Sequence, residues 1–281
     1  MYLRPGQADK YGDKAMKVSF VGGGNMGEAI IAALITHRLA QPEDISVADA
    51  KPERQEYLAQ RYGIFATGYN LEAIARSKVV ILAIKPQQTD DVTCELKGHL
   101  QNDQLVLSII AGRKLSALRQ GLRHEAIVRA MPNTPAQIGQ GMTVWTATDS
   151  TPAAHRADAE AILGTMGCAV YTSDEATLDA VTAISGSGPA YVFLFLESLI
   201  QAGRDIGLSP ELARLLAFKT MLGSTEYAQQ SDKTLTELIR NVTSPGGTTA
   251  AALKIFEGGD FSGLIKQAAM AAFQRAQELG G

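Results

Sequence analysis

Cysteine is scarce in this chain. Only Cys94 and Cys168 occur, with no metal-ligand spacing around them, so a disulfide framework and a zinc site are both excluded. The two read as buried free thiols of a protein from a reducing, cytoplasmic compartment. Histidine is nearly as rare. His37, His99, His124 and His155 lie outside every glycine- or hydroxyl-rich turn and have no helical acidic partner, so none is read as an acid–base relay. No H-E-x-x-H and no G-x-S-x-G elbow with triad partners is present, which excludes zinc-peptidase and serine-hydrolase chemistry. The formal net charge is −3 and the basic residues are scattered, so no nucleic acid partner is expected. Long apolar runs are missing too: the longest candidate, Ala190–Leu196, meets Glu197 and is too short to span a membrane, so no membrane is expected. Residues 1–15 carry Arg4, Pro5, Asp9, Lys10, Asp13 and Lys14 without a signal-peptide core, and read as a disordered extension.

What remains is a globular composition. The chain has 281 residues, 46% hydrophobic and 20% charged, enough for one large or two medium domains with a sizeable core. From Met16 the pattern alternates short apolar strands with helices. Strands are predicted over 17–21, 45–48, 64–66, 79–84, 105–109, 126–129, 142–146 and 168–171, and helices over 26–38, 52–60, 71–75, 115–119 and 152–166. The continuously apolar 79–84 run suits a parallel strand buried on both faces, and the repeated crossovers predict an α/β, doubly wound, mostly parallel sheet over residues 16–173. Past Asp174 no convincing strand follows. Residues 174–281 read as helical: 175–182, a long helix opened by Ser185-Gly-Ser-Gly-Pro-Ala-Tyr191 as a helix-start turn, a helix capped by Ser209-Pro-Glu, then 234–241, 248–256 and 263–278. Leu212, Leu215, Leu216 and Leu222 form a broad stripe on the second of these. A module of about 100 residues with such faces is marginal alone, so burial against a second subunit is expected.

Two polar clusters carry the chemistry. Gly22, Gly24 and Gly27 satisfy G-x-G-x-x-G directly after the first strand and at the opening of the first helix, the context a dinucleotide pyrophosphate requires. Asp49 ends the second strand about 20 residues on, where a carboxylate accepts from the ribose hydroxyls of NAD and repels the 2′-phosphate of NADP. Lys51 could offset that repulsion, so NAD through Asp49 and NADP through Lys51 both stand, beside a third reading in which both are solvated surface. Ala83-Ile-Lys-Pro86 and Met131-Pro-Asn-Thr-Pro135 follow later strands, at the edge where ligands of doubly wound sheets bind. Lys85 either charges the site or points to solvent, Asn133 could donate to cofactor or substrate, and Asn70 is either a helix cap or a cofactor contact. The second cluster, Asn241-Val-Thr-Ser-Pro-Gly-Gly-Thr-Thr-Ala250, sets a hydroxyl- and glycine-rich turn before a helix, a seat for a carboxylate. With hydroxyls, amides and N–H groups available but no strong acid–base pair, hydride transfer to a C=N bond suits the chain better than ketone reduction.

Together these segments are those of a known family. Val21-Gly-Gly-Gly-Asn-Met-Gly27, Ala83-Ile-Lys-Pro86, Met131-Pro-Asn-Thr-Pro135, Ser185-Gly-Ser-Gly-Pro-Ala-Tyr191 and Val242-Thr-Ser-Pro-Gly-Gly-Thr-Thr249 resemble the pyrroline-5-carboxylate reductase family over nearly all of 16–280. The resemblance implies a Rossmann domain followed by a helical dimerisation domain, NADPH or NADH as cofactor, and reduction of 1-pyrroline-5-carboxylate to L-proline, the last step of proline synthesis. It also implies homodimers that often assemble as five dimers into a decamer, with an active site shared between subunits. By the same resemblance Ser244, Gly246, Gly247 and Thr248 hold the substrate carboxylate, and Thr249 hydrogen-bonds the ring nitrogen as the catalytic hydroxyl. Gly22, Gly24, Asn25, Met26, Gly27, Asp49, Lys51, Asn70, Ala83, Lys85, Pro86 and Asn133 are the cofactor-binding positions. No metal is implied.

Overall fold

Eight short strands share one sheet because their side chains alternate between two apolar layers. The computed structural model describes residues 15–280; the expected extension over residues 1–15 therefore lies, but for its last residue, outside them. The strands are β1 Val18–Val21, β2 Ile45–Ala48, β3 Phe65–Thr67, β4 Val79–Leu82, β5 Leu105–Ser108, β6 Ile127–Met131, β7 Gly141–Ala147 and β8 Gly167–Tyr171, in the order β3-β2-β1-β4-β5-β6-β7-β8. All pairs are parallel except β6 with β7. Val18, Phe20, Val79, Ile81, Leu105 and Leu107 enter one buried layer. Val21, Val80, Leu82, Val106 and Ile127 enter the other, the period of two that a strand covered on both faces shows.

The helices of this part are α1 Asn25–Thr36, α2 Pro52–Tyr62, α3 Asn70–Ile74, α4 Thr89–Leu96, α5 Leu115–Leu122, α6 Ala153–Gly164 and α7 Thr177–Val181. Ile30, Ile31 and Leu34 of α1 and Ile162 and Leu163 of α6 pack in the first layer; Val92 and Leu96 of α4 and Leu118 and Leu122 of α5 fill the second. The predicted strands are found within one or two residues at most ends. Helix α4 was not expected. It also corrects the reading of Cys94, which is exposed on it, while Cys168 is half-buried; both thiols are free.

The remaining helices are α8 Gly188–Asp205, α9 Pro210–Gln230, α10 Leu235–Asn241, α11 Thr248–Gly258 and α12 Phe261–Gly280. Here the sequence reading needs two corrections. Ser185-Gly-Ser-Gly does open the long helix, which starts at Gly188, but what precedes it is not a loop: Thr182–Gly186 is π-helical and follows α7 directly, with only the bend at Ser187 before α8. The whole helical run, Thr177–Asp205, has a mean hydropathy of 1.3 in its most apolar stretch and meets the length and composition of a membrane span, although only 11% of that stretch is buried. Ser209 caps α9 by accepting from the Leu212 N–H at 3.2 Å, and Thr234 with Glu237 forms a capping box on α10.

By packing, the chain divides into two compact units. One runs to Ser187 and takes in the residues from Ala272 onward; the other is Gly188–Ala271. In the second unit Gly203 brings α8 close to Ala213 of α9, where an added Cβ would lie 3.1 Å from the Ala213 Cβ. Large apolar side chains there are exposed, among them Phe193 at 61%, Leu194 at 65% and Leu222 at 64%.

Candidate functional site

The strand order places a crevice between β1 and β4, where crossovers leave in opposite directions and ligands of such sheets bind. The glycine loop after β1 sits at that point. Its three motif glycines have three different physical reasons. Gly22 has φ 97°, and a Cβ there would lie 2.6 Å from the Ala83 carbonyl oxygen at the end of β4. A Cβ on Gly27 would lie 2.7 Å from the Gly22 carbonyl oxygen, so it lets α1 seat tightly on the loop. At Gly24 a Cβ would meet nothing within 4 Å: the space over it is open. Gly24 is also the N-cap of α1, with no side-chain cap bond, and the first bond of the helix runs from the Glu28 N–H to the Gly24 carbonyl at 2.8 Å. The N–H groups of Asn25, Met26 and Gly27 therefore have no intrahelical acceptor, and their partial positive charge lies beside that open space. A pyrophosphate fits this cradle and a side chain would fill it.

Asp49 lies where it was expected, at the end of β2. Its carboxylate accepts from the Gly23 N–H at 2.9 Å and from the Lys51 N–H at 3.0 Å, so it is fixed against the glycine loop. Gln55 Nε2 donates to the Asp49 carbonyl at 2.6 Å. Gly23, between the motif glycines, is constrained as well: a Cβ would lie 2.5 Å from Leu58 Cδ1 of α2. Sequence reasoning missed two charged residues here. Arg54 donates through Nε to the Gly23 carbonyl at 2.5 Å and forms an ion pair with Glu28. Tyr57 and Tyr62 donate to the same carboxylate at 3.0 and 2.9 Å. Burial pushes the Glu28 carboxyl up, but the hydrogen bonds from Arg54, Tyr62 and Tyr57 outweigh it and hold the group below the usual carboxylate range. The signal that could have found them is position: Glu28 directly follows Gly27, and Arg54 lies in the first turn of the helix after Asp49.

At the other strand ends, Ala83 is bonded through its N–H to the Val21 carbonyl at 2.8 Å, which sets Ala83–Pro86 beside the glycine loop. Lys85 is exposed and Pro86 starts a short 3-10 turn. Asn70 is not a helix cap: Tyr69 occupies that position, and Asn70 Nδ2 donates to Glu95 at 2.7 Å. Asn133 is committed within the protein. Its Oδ1 accepts from the Met142 N–H at 2.9 Å and its Nδ2 donates to Ser185 Oγ at 3.2 Å, so it joins two of the segments singled out in the sequence. A Cβ on Gly186 would lie 2.6 Å from Met131 Cε, which keeps that junction tight. Beneath it, buried Arg129 of β6 bridges Glu175 at 2.8 Å and Asp179 at 3.1 Å.

In the second unit the turn between α10 and α11 has the expected form. The Gly247 N–H donates to the Ser244 carbonyl at 3.0 Å, with Pro245 and Gly246, φ 72°, between them. That is the proline–glycine order of a type II turn. Gly247 caps α11 without a side-chain bond, and the first helical bond runs from Ala251 to Gly247 at 3.1 Å. The N–H groups of Thr248, Thr249 and Ala250 are thus open donors beside three hydroxyls, with Ser244 and Thr248 exposed and Thr249 half-buried. His124 is buried, its Nε2 2.7 Å from the Gln104 carbonyl oxygen, and His155 of α6 has Asp158 one turn on, an acidic neighbour that the sequence reading denied. No group of acidic, cysteine and histidine side chains among the described residues could hold a metal.

Known proteins match nearly the whole chain. A pyrroline-5-carboxylate reductase from Synechocystis is 41% identical, covering 95% of this chain and 99% of that protein. The chain belongs to the pyrroline-5-carboxylate reductase family. A reductase of the same description from Pseudomonas aeruginosa is 39% identical over 94% of this chain and 96% of its own length. Residues 175–279 match the family model for pyrroline-5-carboxylate reductase dimerisation, and residues 17–112 match that of NADP oxidoreductase, coenzyme F420-dependent. Among solved structures, the pyrroline carboxylate reductase of Plasmodium falciparum with NADP bound superposes with a TM-score of 0.88 at 30% identity, covering 95% of this chain and 98% of that one. Membership makes the chain an oxidoreductase of the Rossmann type with a helical dimerisation region.

Proposed function

We propose that the chain reduces 1-pyrroline-5-carboxylate to L-proline with NADH or NADPH, the last step of proline biosynthesis. The observation that carries this is the open space over Gly24, rimmed by the first-turn donors of α1 and by Asp49, in a chain that aligns with named reductases over nearly its full length.

Gly22, Gly24, Asn25, Met26 and Gly27 would hold the pyrophosphate and Asp49 the adenosine ribose, with Lys51 and Asn70 at the same rim. Ala83, Lys85 and Pro86 would border the nicotinamide, and Asn133 would shape that border through its bonds to Ser185 and Met142. The reduced cofactor, when bound, supplies the hydride that the imine carbon accepts. The turn does the rest. Ser244, Gly246, Gly247 and Thr248 seat the substrate carboxylate on N–H and O–H donors at a helix start, where negative charge is favoured. The Thr249 hydroxyl holds the ring nitrogen in one orientation and hydrogen-bonds it as it becomes an amine. An iminium substrate already carries its activating proton, so orientation rather than a strong acid is what the protein must provide.

Residues 16–173 are proposed as the dinucleotide-binding domain and 174–281 as the dimerisation and substrate-binding domain. The exposed Phe193, Leu194, Leu212, Leu215 and Leu222 would be covered by a second copy, and five such dimers would form a decamer. Burial against that copy, rather than lipid, accounts for the apolar face of Thr177–Asp205. The free thiols suit a cytoplasmic enzyme. The test is the loss of reduced-nicotinamide absorbance on adding 1-pyrroline-5-carboxylate, run separately with NADH and NADPH. Turnover with formation of proline is expected, and no turnover with either cofactor sinks the reading.

A further inference from the structure

We propose that Glu28 sets the cofactor preference, by holding Arg54 in an ion pair so that Asp49 alone meets the adenosine ribose and NADH is favoured over NADPH. The inference rests on the dinucleotide reading above and extends it to a residue outside the motif.

Preference between the two cofactors turns on one group, the 2′-phosphate, and on the charges within its reach. A carboxylate at the end of the second strand accepts from the 2′-hydroxyl of NAD, whereas a nearby arginine accommodates the 2′-phosphate of NADP. This chain has both. Asp49 is held in place by the Gly23 and Lys51 N–H groups at 2.9 and 3.0 Å, so it cannot turn from a phosphate without breaking two bonds. Arg54 reaches the same glycine, with Nε on the Gly23 carbonyl at 2.5 Å. An arginine is therefore correctly placed to offset Asp49.

It is not free to do so. Its terminal nitrogen is on the Glu28 carboxylate, and the two side chains are only 22% and 20% exposed. One face of the guanidinium is covered by the Tyr57 ring, 4.9 Å from its centroid. The carboxylate is itself fixed by the Tyr57 and Tyr62 hydroxyls and has Arg61 at 3.7 Å. Glu28 is ionised at neutral pH and holds Arg54 in the ion pair, while Arg61, 58% exposed on the same carboxylate, is screened by solvent. Lys51 is exposed at the start of α2, and a solvated lysine against a carboxylate contributes little. The rim thus presents Asp49 unopposed.

The test is titration of NADH and NADPH into the full chain by nicotinamide fluorescence, without substrate, so that binding is read apart from turnover. The unaltered protein should bind NADH at least about tenfold more tightly than NADPH. Glu28→Gln keeps an acceptor for the tyrosines but releases the arginine. It should tighten NADPH about fivefold or more with NADH within about twofold, and adding Arg54→Gln should cancel that gain. Arg54→Gln alone unmasks the Glu28 charge and should weaken NADPH selectively. A wild-type preference for NADPH, an unaltered ratio in Glu28→Gln, or a double variant that keeps the gain overturns the proposal. A wild-type preference for NADPH, or unchanged NADPH affinity in Arg54→Gln, does so even if Glu28→Gln fails to fold. Binding of neither cofactor would instead remove the dinucleotide reading beneath it.

Discussion

Replacing Gly24 by valine separates folding from cofactor binding. The position has φ −64° and ψ −174°, ordinary extended backbone, and its added Cβ meets nothing within 4 Å. The folded chain can therefore accept the side chain. Valine is a poorer helix cap than glycine, by about 1 kcal/mol, while fewer conformations of the unfolded chain recover roughly 0.4–1 kcal/mol. The net change in stability is within about 1 kcal/mol, a shift of roughly 2–4 °C in Tm at this chain length. Binding should respond very differently. The isopropyl group occupies the space before the Asn25, Met26 and Gly27 donors. Losing two N–H bonds to a charged phosphate, at about 1.5–3 kcal/mol each, weakens the dinucleotide by at least about 3 kcal/mol, roughly a hundredfold or more in Kd. Gly22→Val is the control. There φ is 97° and the Ala83 carbonyl oxygen stands 2.6 Å away, so the fold itself should suffer by several kcal/mol, about 1–3 from the backbone alone. Thermal unfolding without cofactor, paired with a fluorescence titration of NADH, reads both quantities. A Gly24→Val protein that melts with Gly22→Val, or that binds NADH within threefold of wild type (about 0.6 kcal/mol), refutes the reasoning.

Thr249→Ala should lower kcat/KM for the imine by about tenfold or more, the worth of one hydrogen bond of about 1.4 kcal/mol, with cofactor Kd unchanged; unchanged steady-state kinetics would exclude the hydroxyl. Arg129→Met leaves Glu175 and Asp179 facing a buried apolar side chain, and should cost about 3–5 kcal/mol in chemical denaturation. Glu28 has a folded-state pKa below its unfolded value. Its contribution is therefore present above the ordinary glutamate range and is lost as pH falls through the lowered value. The stability gap between wild type and Glu28→Gln should be open at pH 7 and close on acidification below about pH 4; a gap that widens in acid contradicts the assignment. Leu222→Asp, on the exposed stripe of α9, should shift the sedimentation coefficient toward the monomer, and an unaltered dimer would exclude that face.

Strands were legible because burial on both faces forces continuous apolar runs: Val79–Leu82 and Leu105–Leu107 have no polar face to confuse their period. The glycine motif was legible because Gly22 and Gly27 answer local steric demands and Gly24 leaves open the space a ligand needs. Helix α4 was not, since Thr-Asp-Asp-Val-Thr-Cys-Glu-Leu offers only Val92 and Leu96 to the apolar layer and reads as loop. The near-continuity of Thr177–Asp205 was hidden by Ser185-Gly-Ser-Gly-Pro, whose composition signals a turn. A π-helical segment is set by packing against Met131 and Asn133, which no local propensity encodes. The Glu28–Arg54 pair was invisible for a related reason: residues 26 positions apart meet only because β1 and β2 lie side by side.

The return of residues 272–280 to the first unit has a consequence for how the chain is made. Gly112, with φ 76°, lies so close to Leu279 that an added Cβ would sit 2.7 Å from the Leu279 Cβ, and Ala276 is buried. In chain order, then, Gly188–Ala271 is an insertion within the first unit. A ribosome delivering the polypeptide from its amino end exposes the strands of the sheet well before residues 272–280 arrive to cover the Gly112 loop, because all of Gly188–Ala271 is made in between. The nascent sheet waits through that interval with the loop open, and the late helical turns act as its latch.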